Sequence, residues 1–383
     1  MYPTLYHALL DLAGLDLPFL KFLNSFGFFV AVAFIVASWL LGLELKRKEG
    51  QGLLKTTTRT ITVGEAAKPM ELILQALIGF VLGWKILGLI FNYAEATRDP
   101  QAFLLSGDGS FIAGVVVAAY FVWTRWREKE KQKLKEPRQE IITVHPHEQA
   151  GTITLLAALW GLIGAKLFHW LENPREFISF FTDPSGADLF SGLTMYGGLI
   201  VAGVMVVRFM VKHGIPALAG MDAAAPGLML AYAIGRIGCQ VSGDGDWGIA
   251  NTAPAPAWMP QWLWAYDYPN NVIGSGRPIV GDATCFPGYC TVLDPAVYPT
   301  PLYEVIVCAL FFVVLWMIRK RLQLPGLLFS VYLVLNGIER FLVEHIRVNV
   351  KVLGSWTQAE LIALGLIALG VGGWFWSKKR GTA

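Results

Sequence analysis

Apolar stretches long enough to cross a lipid bilayer dominate this chain. A helix needs about 20 mostly apolar residues to span the hydrocarbon core, and nine stretches of roughly that length are present. They cover residues 22–44, 70–93, 111–126, 150–171, 190–211, 217–240, 300–318, 325–346 and 357–377. The predicted fold class is therefore an all-α polytopic membrane protein with about nine transmembrane helices.

Charged residues are too sparse for a soluble protein of 383 residues. They make up 15% of the chain, whereas soluble domains carry about 25%. The net charge of +3 is small, and we therefore expect no nucleic-acid partner. The first 20 residues lack a basic start and a small-residue cleavage site, so we expect no cleavable signal peptide.

Short basic runs predict how the spans are oriented. Loops on the cytoplasmic side carry an excess of Lys and Arg, and here every odd-numbered span is followed by such a run. The runs lie at residues 46–48, 125–135, 208–212, 319–321 and 378–380. This pattern predicts the N-terminus outside and the C-terminus inside, with residues 241–299 as an extracytoplasmic head loop.

Two parts of the chain resemble each other. Residues 59–126 and residues 140–211 both read as a helical hairpin preceded by a Thr-Val pair. A tandem duplication of a two-span unit accounts for this similarity. We expect one membrane domain over residues 1–383, in which 59–126 is an extra hairpin and 140–211 carries a Tyr-Gly-Gly-Leu motif. The matching residues are Gly83 with Gly164, Lys85 with Lys166, and Ser106-Gly107 with Ser191-Gly192.

The four cysteines give limited information. Cys285 and Cys290 share the head loop, and two thiols at this spacing can form a disulfide in an oxidising compartment. The sequence leaves open whether they do. A metal site has less support, because no second cysteine pair or histidine cluster accompanies them. Cys239 and Cys308 are expected to be packed residues.

Arg236 is the first of several charges within apolar sequence. A charge is costly there and usually marks a paired site or a substrate path. Its guanidinium can bind a phosphate through two hydrogen bonds, and the alternative is snorkelling to lipid headgroups. Calcium binding by the following loop has little support, because the later ligands of an EF-hand are absent. That loop carries Ser242, Asp244, Asp246, Trp247 and Gly248.

Glu304 lies at the start of another span, in the sequence Tyr-Pro-Thr-Pro-Leu-Tyr-Glu. Thr300 is a candidate cap for this helix. Glu304 lies one turn deeper, where a carboxylate needs a partner, and a nearby arginine is the natural one.

Arg340, Glu344 and Arg347 end the stretch 325–346. Their spacing of four and three residues predicts that they share one helix face, with Glu339 on an adjacent face. Four charges here predict a functional polar track, although a solvated rim is the alternative.

Tyr196, Gly197 and Gly198 open the span at 190–211. Paired glycines let another helix or a ligand approach the backbone closely. Tyr196 is expected at the outer interface, and the alternative is an interfacial tyrosine beside packing glycines.

Together these motifs resemble prolipoprotein diacylglyceryl transferases, integral membrane enzymes that start bacterial lipoprotein maturation. The resemblance covers residues 20–45 and 150–377. It rests on residues 24–27 (the family's Trp-Tyr-Gly), 193–199 (His-Gly-Gly-Leu), 235–248 (Gly-Arg-x-Gly-Asn), 299–304 (Pro-Ser-x-Leu-Tyr-Glu), and on Arg340 with Glu344. The family has seven spans with the N-terminus out and the C-terminus in, and one added hairpin gives the nine counted here.

Three positions depart from the family's pattern. Tyr196 replaces the motif histidine, Cys239 replaces the asparagine, and Phe26 replaces the first-span tyrosine. One residue is also inserted between Gly243 and Trp247. The phosphate-binding part is retained, whereas the proton-handling part is altered.

The resemblance implies transfer of a diacylglyceryl group from phosphatidylglycerol to the lipobox cysteine of preprolipoproteins, in the bacterial inner membrane. The expected partners are phosphatidylglycerol, these preprolipoproteins and membrane lipids, without cofactor or metal. Asp244 and Glu344 are alternative proton acceptors. The alternatives are a diverged lipid-binding or lipid-transport protein of the same fold and, with less support, a small-solute transporter. The implied catalytic residues are Arg236, Arg340, Tyr196 and Glu344, and the implied substrate-binding residues are Gly197, Gly198, Gly235, Gly238, Asp244, Gly248, Tyr303, Glu304 and Arg347.

Overall fold

Long helices form at all nine predicted stretches. The computed structural model describes residues 1–93, 103, 106–182, 192–281, 285–349 and 351–381. In chain order the described helices are α1 Leu5–Ala13, α2 Ser25–Gly50, α3 Pro69–Phe91, α4 Phe111–Gln132, α5 Ala150–Glu172, α6 Pro174–Thr182, α7 Met195–Lys212, α8 Ala217–Ser242, α9 Gln261–Trp264, α10 Thr300–Ile318, α11 Leu327–Glu344 and α12 Gln358–Gly381. Among them, seven are long and apolar enough to cross a membrane: α2, α3, α5, α7, α8, α10 and α12. The chain is a polytopic all-α membrane protein.

The ends of the helices follow from local chemistry. Asn24 caps α2, because its side chain accepts the amide of Phe26 at 2.9 Å. At the same end of the bundle α8 ends at Gly243, whose left-handed backbone (φ +65°) returns its amide to the Cys239 carbonyl. The two long helices that are not among the seven, α4 and α11, carry several charges near their C-terminal ends.

Short antiparallel strand pairs join some of the helices in the described ranges. They are β1 Thr57–Val63 with β2 Arg138–Val144, β3 Arg277–Pro278 with β4 Thr291–Val292, and β5 Lys351–Leu353 with β6 Trp356–Thr357. The first pair has an informative register, because Thr60 lies opposite Ile141. These two residues are also equivalent in the two halves of the sequence repeat.

The chain divides into two compact units. The first comprises residues 1–55, 146–158 and 205–383, and the second comprises 56–145 and 159–204. In the first unit α8 packs along α2 and α10, and α11 packs against α12. The contact of α2 with α8 is close at Gly238, where a Cβ would lie 3.1 Å from the Cβ of Phe29. Buried apolar residues of this unit include Leu45, Met210, Ile215, Met229, Leu315 and Leu328.

A group of buried charges joins four helices of the first unit. Arg319 donates to Glu44 at 2.8 Å, and Lys48 lies 3.7 Å from Asp222. Asp222 also accepts two backbone amides at the start of α11, from Gly326 and Phe329, both at 2.8 Å. We call Glu44, Lys48, Asp222 and Arg319 the distal cluster. It lies at the end of α2, the start of α8, the end of α10 and the start of α11.

The two hairpins of the second unit are built with equivalent contacts. A Cβ on Gly83 would lie 2.5 Å from the Ala113 carbonyl, and one on Gly164 would lie 2.6 Å from the Gly197 carbonyl. Each hairpin also has the same backbone hydrogen bond, Ser110 to Trp84 at 3.0 Å and Thr194 to Ala165 at 3.1 Å. In the first hairpin, Lys85 donates to the carbonyls of residues 103, 106 and 108. Ser191, which matches Ser106 in the sequence, lies outside the residues that the structure describes.

Candidate active site

Arg236 is buried near the end of α8, where it contacts two carboxylates. Its Nε forms an ion pair with Glu304, and its Nη1 forms one with Asp246. Its Nη2 donates a hydrogen bond to the hydroxyl oxygen of Tyr232 at 3.3 Å. The predicted partner of Glu304 is therefore present, and the head loop supplies a second carboxylate.

Arg347 contacts the same two carboxylates from the opposite side. Its Nη1 donates to Glu304 Oε1 at 3.0 Å, and its Nη2 donates to Asp246 Oδ1 at 2.6 Å. Two guanidinium groups thus alternate with two carboxylates in a closed ring. We call Arg236, Glu304, Asp246 and Arg347 the arginine cluster, and it lies at the end of α8, the start of α10 and just beyond α11.

The N-terminal part of α10 positions both carboxylates of this cluster. Glu304 is fully buried and accepts a hydrogen bond from the Tyr232 hydroxyl at 2.8 Å. Thr300 donates its hydroxyl to the backbone carbonyl of Asp246 at 2.7 Å. The prediction that Thr300 caps α10 is wrong, because Pro299 is the cap residue and the threonine hydroxyl fixes the head loop instead.

Gly248 brings the head loop against the segment that carries Arg347. Its amide donates to the Tyr298 carbonyl, and the next amide, of Ile249, donates to the Ile346 carbonyl, both at 2.9 Å. A Cβ on Gly248 would lie 2.5 Å from the Ile346 carbonyl oxygen. Only glycine allows this approach, so Gly248 positions Arg347.

Arg340 and Glu344 form a separate pair on α11. Their Nη2 and Oε2 atoms lie 2.9 Å apart, and Asn349 donates to the other oxygen of Glu344 at 2.5 Å. The prediction that Arg347 shares their helix face is wrong, because α11 ends at Glu344 and the chain turns there. The neighbouring Glu339 is fully buried, and its carboxylate oxygens have no hydrogen-bond partner among the residues that the structure describes.

The two aspartates of the head loop have opposite electrostatic surroundings. Burial raises the pKa of Asp244. Burial also acts to raise the pKa of Asp246, but Arg236 and Arg347 outweigh it and hold that pKa below its ordinary value. Cys239 has ligand atoms within 4.8 Å of both aspartates, as a metal site would require. However, Asp246 already binds two guanidinium groups, and this positive surrounding favours an anion over a metal ion.

The remaining predicted residues fall into two groups. In the first unit, Gly235 faces open space, Gly238 contacts α2, and the hydroxyl of Tyr303 donates to the Leu263 carbonyl at 2.7 Å. In the second unit, Tyr196 is half-buried in the first turn of α7, and the adjacent glycines pack against α5. The two glycines are Gly197, whose Cβ would lie 2.2 Å from the Cβ of Phe168, and Gly198, whose Cβ would lie 2.7 Å from the Gly161 carbonyl.

The roles of Asp246 and Tyr232 are not evident from the sequence. Asp246 is one of several polar residues of its loop, and the sequence favours Asp244 instead. Further along the head loop, Cys285 and Cys290 form a disulfide, which answers the question that the sequence left open.

The fold and the arginine cluster define an integral membrane protein with a buried, arginine-based centre suited to anions. Residues 110–376 match the family model of prolipoprotein diacylglyceryl transferase. Because this match covers more than half of the chain, the chain belongs to that family.

Several curated relatives carry the name phosphatidylglycerol–prolipoprotein diacylglyceryl transferase. The protein of Leptospira interrogans is 30% identical over 230 residues, which are 53% of this chain and 63% of that protein. This chain therefore aligns with less than two thirds of the Leptospira protein. The protein of Dehalococcoides mccartyi is 27% identical over 288 residues, 72% of this chain and 93% of that protein. The protein of Corynebacterium glutamicum is 25% identical over 275 residues, 70% of this chain and 78% of that protein.

Proposed function

We propose that this protein transfers a diacylglyceryl group from phosphatidylglycerol to the lipobox cysteine of preprolipoproteins and releases glycerol phosphate. The observation that carries the proposal is the arginine cluster, in which two buried guanidinium groups share one partly exposed carboxylate, that of Asp246. Family membership supplies the reaction, and the relatives named above carry the same activity in their names.

The cluster matches the electrostatic demand of this reaction. A thiolate attacks the glycerol carbon of the lipid, the carbon–oxygen bond breaks, and negative charge develops on the leaving phosphate. Preorganised donors in a dry site stabilise such charge strongly, and guanidinium groups match the geometry of phosphate oxygens. Arg236 and Arg347 are the proposed phosphate ligands. Arg340 with Glu344 forms the proposed second charged pair of the site, and Tyr196 remains a predicted participant.

The proposed topology has nine transmembrane helices, with the N-terminus outside and the C-terminus inside the bacterial inner membrane. The basic runs support this orientation. The Cys285–Cys290 disulfide supports an extracytoplasmic head loop, because disulfides persist in oxidising compartments. The equivalent contacts of Gly83 and Gly164 support a duplication that added the hairpin at residues 59–126.

The alternative is a lipid-binding or lipid-transport protein that kept the cluster but lost the chemistry. Purified protein in detergent, incubated with phosphatidylglycerol and a lipobox peptide, separates the two. The proposal expects glycerol phosphate release in step with a diacylglyceryl mass gain on the peptide's cysteine. Binding of phosphatidylglycerol without either product would support the alternative.

A further inference from the structure

Asp246 and Glu304 bridge the same two arginines but are held very differently. Glu304 is 0% exposed, lies on a helix and accepts a further hydrogen bond from Tyr232. The side chain of Asp246 is 36% exposed and lies on the head loop. An anion that arrives from the exposed side of the cluster therefore meets Asp246 first.

Two glycines precede Asp246 in the head loop, whereas Thr300 holds the backbone carbonyl of Asp246 itself. Gly243 and Gly245 flank Asp244 and have positive φ angles of +65° and +99°. Glycine reaches such conformations without steric cost and leaves them as easily. Because the side chain of Asp246 is partly exposed, a lipid phosphate can replace its carboxylate on Arg236 and Arg347 while Glu304 stays in place. The number of negative charges on the two arginines is then conserved.

Replacement of Asp246 by a phosphate on the arginines changes the basicity of the displaced carboxylate. In the ring the two arginines hold the pKa of Asp246 below its ordinary value, although burial acts to raise it. Once a phosphate occupies the arginines, burial and the nearby negative charges make this carboxylate a stronger base. The titratable and charged groups that face Asp246 are Arg236 and Cys239 from α8, Asp244 from its own loop, Glu304 from α10, and Arg347 beyond α11.

We infer that Asp246 accepts the proton of the acceptor thiol after the donor's phosphate has taken its place on Arg236 and Arg347. The inference rests on the proposed function and identifies the base of that same site. The proton of the cysteine passes to Asp246, and sulfur forms a bond to the glycerol carbon. The carbon–oxygen bond breaks with its electron pair on the phosphate oxygen, and glycerol phosphate leaves the arginines with the proton or releases it to water.

The other carboxylates of the first unit's site are less suited to this role. Glu344 already forms an ion pair with Arg340 and accepts a hydrogen bond from Asn349. Glu339 is 1% exposed, so a peptide thiol has no path to it in this conformation. Asp244 accepts the amide of Asp246 at 3.3 Å and shapes the loop. Among these carboxylates, only that of Asp246 is released from its arginines when the donor lipid binds.

The test compares Asp246→Asn, Asp246→Glu and Asp244→Asn with wild type, across pH 6.5 to 8.5. Transfer to a lipobox peptide is followed together with phosphatidylglycerol binding and thermal unfolding. Asp11→Asn is a matched control, because Asp11 is an acid of α1 whose carboxylate accepts the Tyr2 hydroxyl at 2.6 Å, away from the arginine cluster. It reports any general effect of removing one negative charge.

Asp246→Asn is expected to lose about 100-fold in kcat at pH 6.5, as loss of a general base typically costs 10²–10⁴-fold. The loss should shrink roughly tenfold per pH unit toward pH 8.5, because an unperturbed thiol ionises by itself near that pH. Asp246→Glu should recover most of the rate. Phosphatidylglycerol should bind Asp246→Asn at least as tightly as wild type, because its internal competitor is gone.

Three results would overturn the inference. One is a loss that is constant with pH, which indicates a structural role, and another is failure of Asp246→Asn to bind phosphatidylglycerol. The third is the pH-dependent loss appearing in Asp244→Asn instead. Failure of the proposed function is separate, because the wild-type protein would then show no transfer at any pH.

Discussion

The two charged clusters of the first unit lie at opposite ends of α8 and α10 and differ in how they are closed. In the distal cluster both carboxylates are buried on helices, and backbone amides at the start of α11 donate hydrogen bonds to Asp222. In the arginine cluster one carboxylate is equally buried, whereas the other lies on the head loop and is partly exposed. The same helices therefore hold one cluster that fastens the bundle and one that can exchange an anion.

The difference shows why burial of charge alone does not identify an active site. Both clusters contain intramembrane charges of the kind that usually marks function. What separates them is whether every partner is fixed by a helix. Asp222 cannot leave without exposing two amides and Lys48, whereas Asp246 can leave while Glu304 continues to neutralise the arginines.

The largest effect is expected from Arg236. Replacement by Ala should lower transfer by about 10³-fold or more, since one preorganised donor is worth 10²–10³-fold and the phosphate also loses a charge partner. Arg236→Lys should lose most activity as well, because an ammonium cannot form the two-pronged contact. Both variants should remain folded, since Arg347 still neutralises Glu304. Glycerol phosphate release measures the rate, and wild-type rates in either variant would remove Arg236 from the site.

The opposite outcome is expected at the distal cluster. Asp222→Asn leaves Lys48 buried without its counter-charge, which should cost about 3 kcal/mol of stability. Transfer per folded molecule should stay at the wild-type level. Thermal unfolding in detergent, with the transfer assay on the folded fraction, checks both statements. A stable but inactive Asp222→Asn protein would erase the distinction between the clusters.

Acid should open the arginine cluster at the head loop. Because the arginines lower the pKa of Asp246 below its ordinary value of 3.8, its ion pairs contribute full stability above that pH. This contribution is lost as pH falls through the lowered pKa. Hydrogen exchange of the amides at residues 243–249 should show constant protection between pH 7 and 5 and decreasing protection below 3.8. The Asp246→Asn protein should lack the change, and an equal change in both proteins would assign it to other groups.

The smallest effects come from a matched pair of glycines. Gly245→Ala places a side chain at φ +99° in the head loop, and Gly326→Ala places one at φ +94° beside Asp222. Each substitution costs about 1–2 kcal/mol of backbone strain. Strain in the closed head loop should favour release of Asp246 and tighten phosphatidylglycerol binding about fivefold, because 1 kcal/mol corresponds to roughly that factor. Gly326→Ala should only lower the unfolding temperature, and tighter lipid binding by it would contradict the comparison.

Much of the fold could be predicted from the sequence. Hydropathy located nine long helices because length and apolar content are fixed by the bilayer. It could not locate the distal cluster, because the basic run at 46–48 reads as a solvated loop until α2 is seen to extend to Gly50. A lone aspartate within the apolar stretch 217–240 was the available signal for Asp222.

The residue types of the site and the pairing of Glu304 with an arginine could be predicted, but the place of Arg347 could not. Spacing along an ideal helix grouped Arg347 with Arg340, whereas the turn after Glu344 sends Arg347 to Glu304. Hydrogen bonds across the head loop decide that turn, and Gly248 makes them possible. Contacts between residues about 100 positions apart leave no trace in local periodicity, so they could not be read from one sequence.

The most direct test of the central claim is one transfer assay on three purified proteins: wild type, Arg236→Lys and Asp222→Asn. Phosphatidylglycerol and a lipobox peptide are supplied, and glycerol phosphate and the peptide's mass are measured on the folded fraction of each. Wild type and Asp222→Asn should release glycerol phosphate in step with a diacylglyceryl gain on cysteine, and Arg236→Lys should do neither at a comparable rate. Equal transfer by Arg236→Lys, or loss of transfer in Asp222→Asn alone, would contradict the assignment of the arginine cluster as the reaction centre.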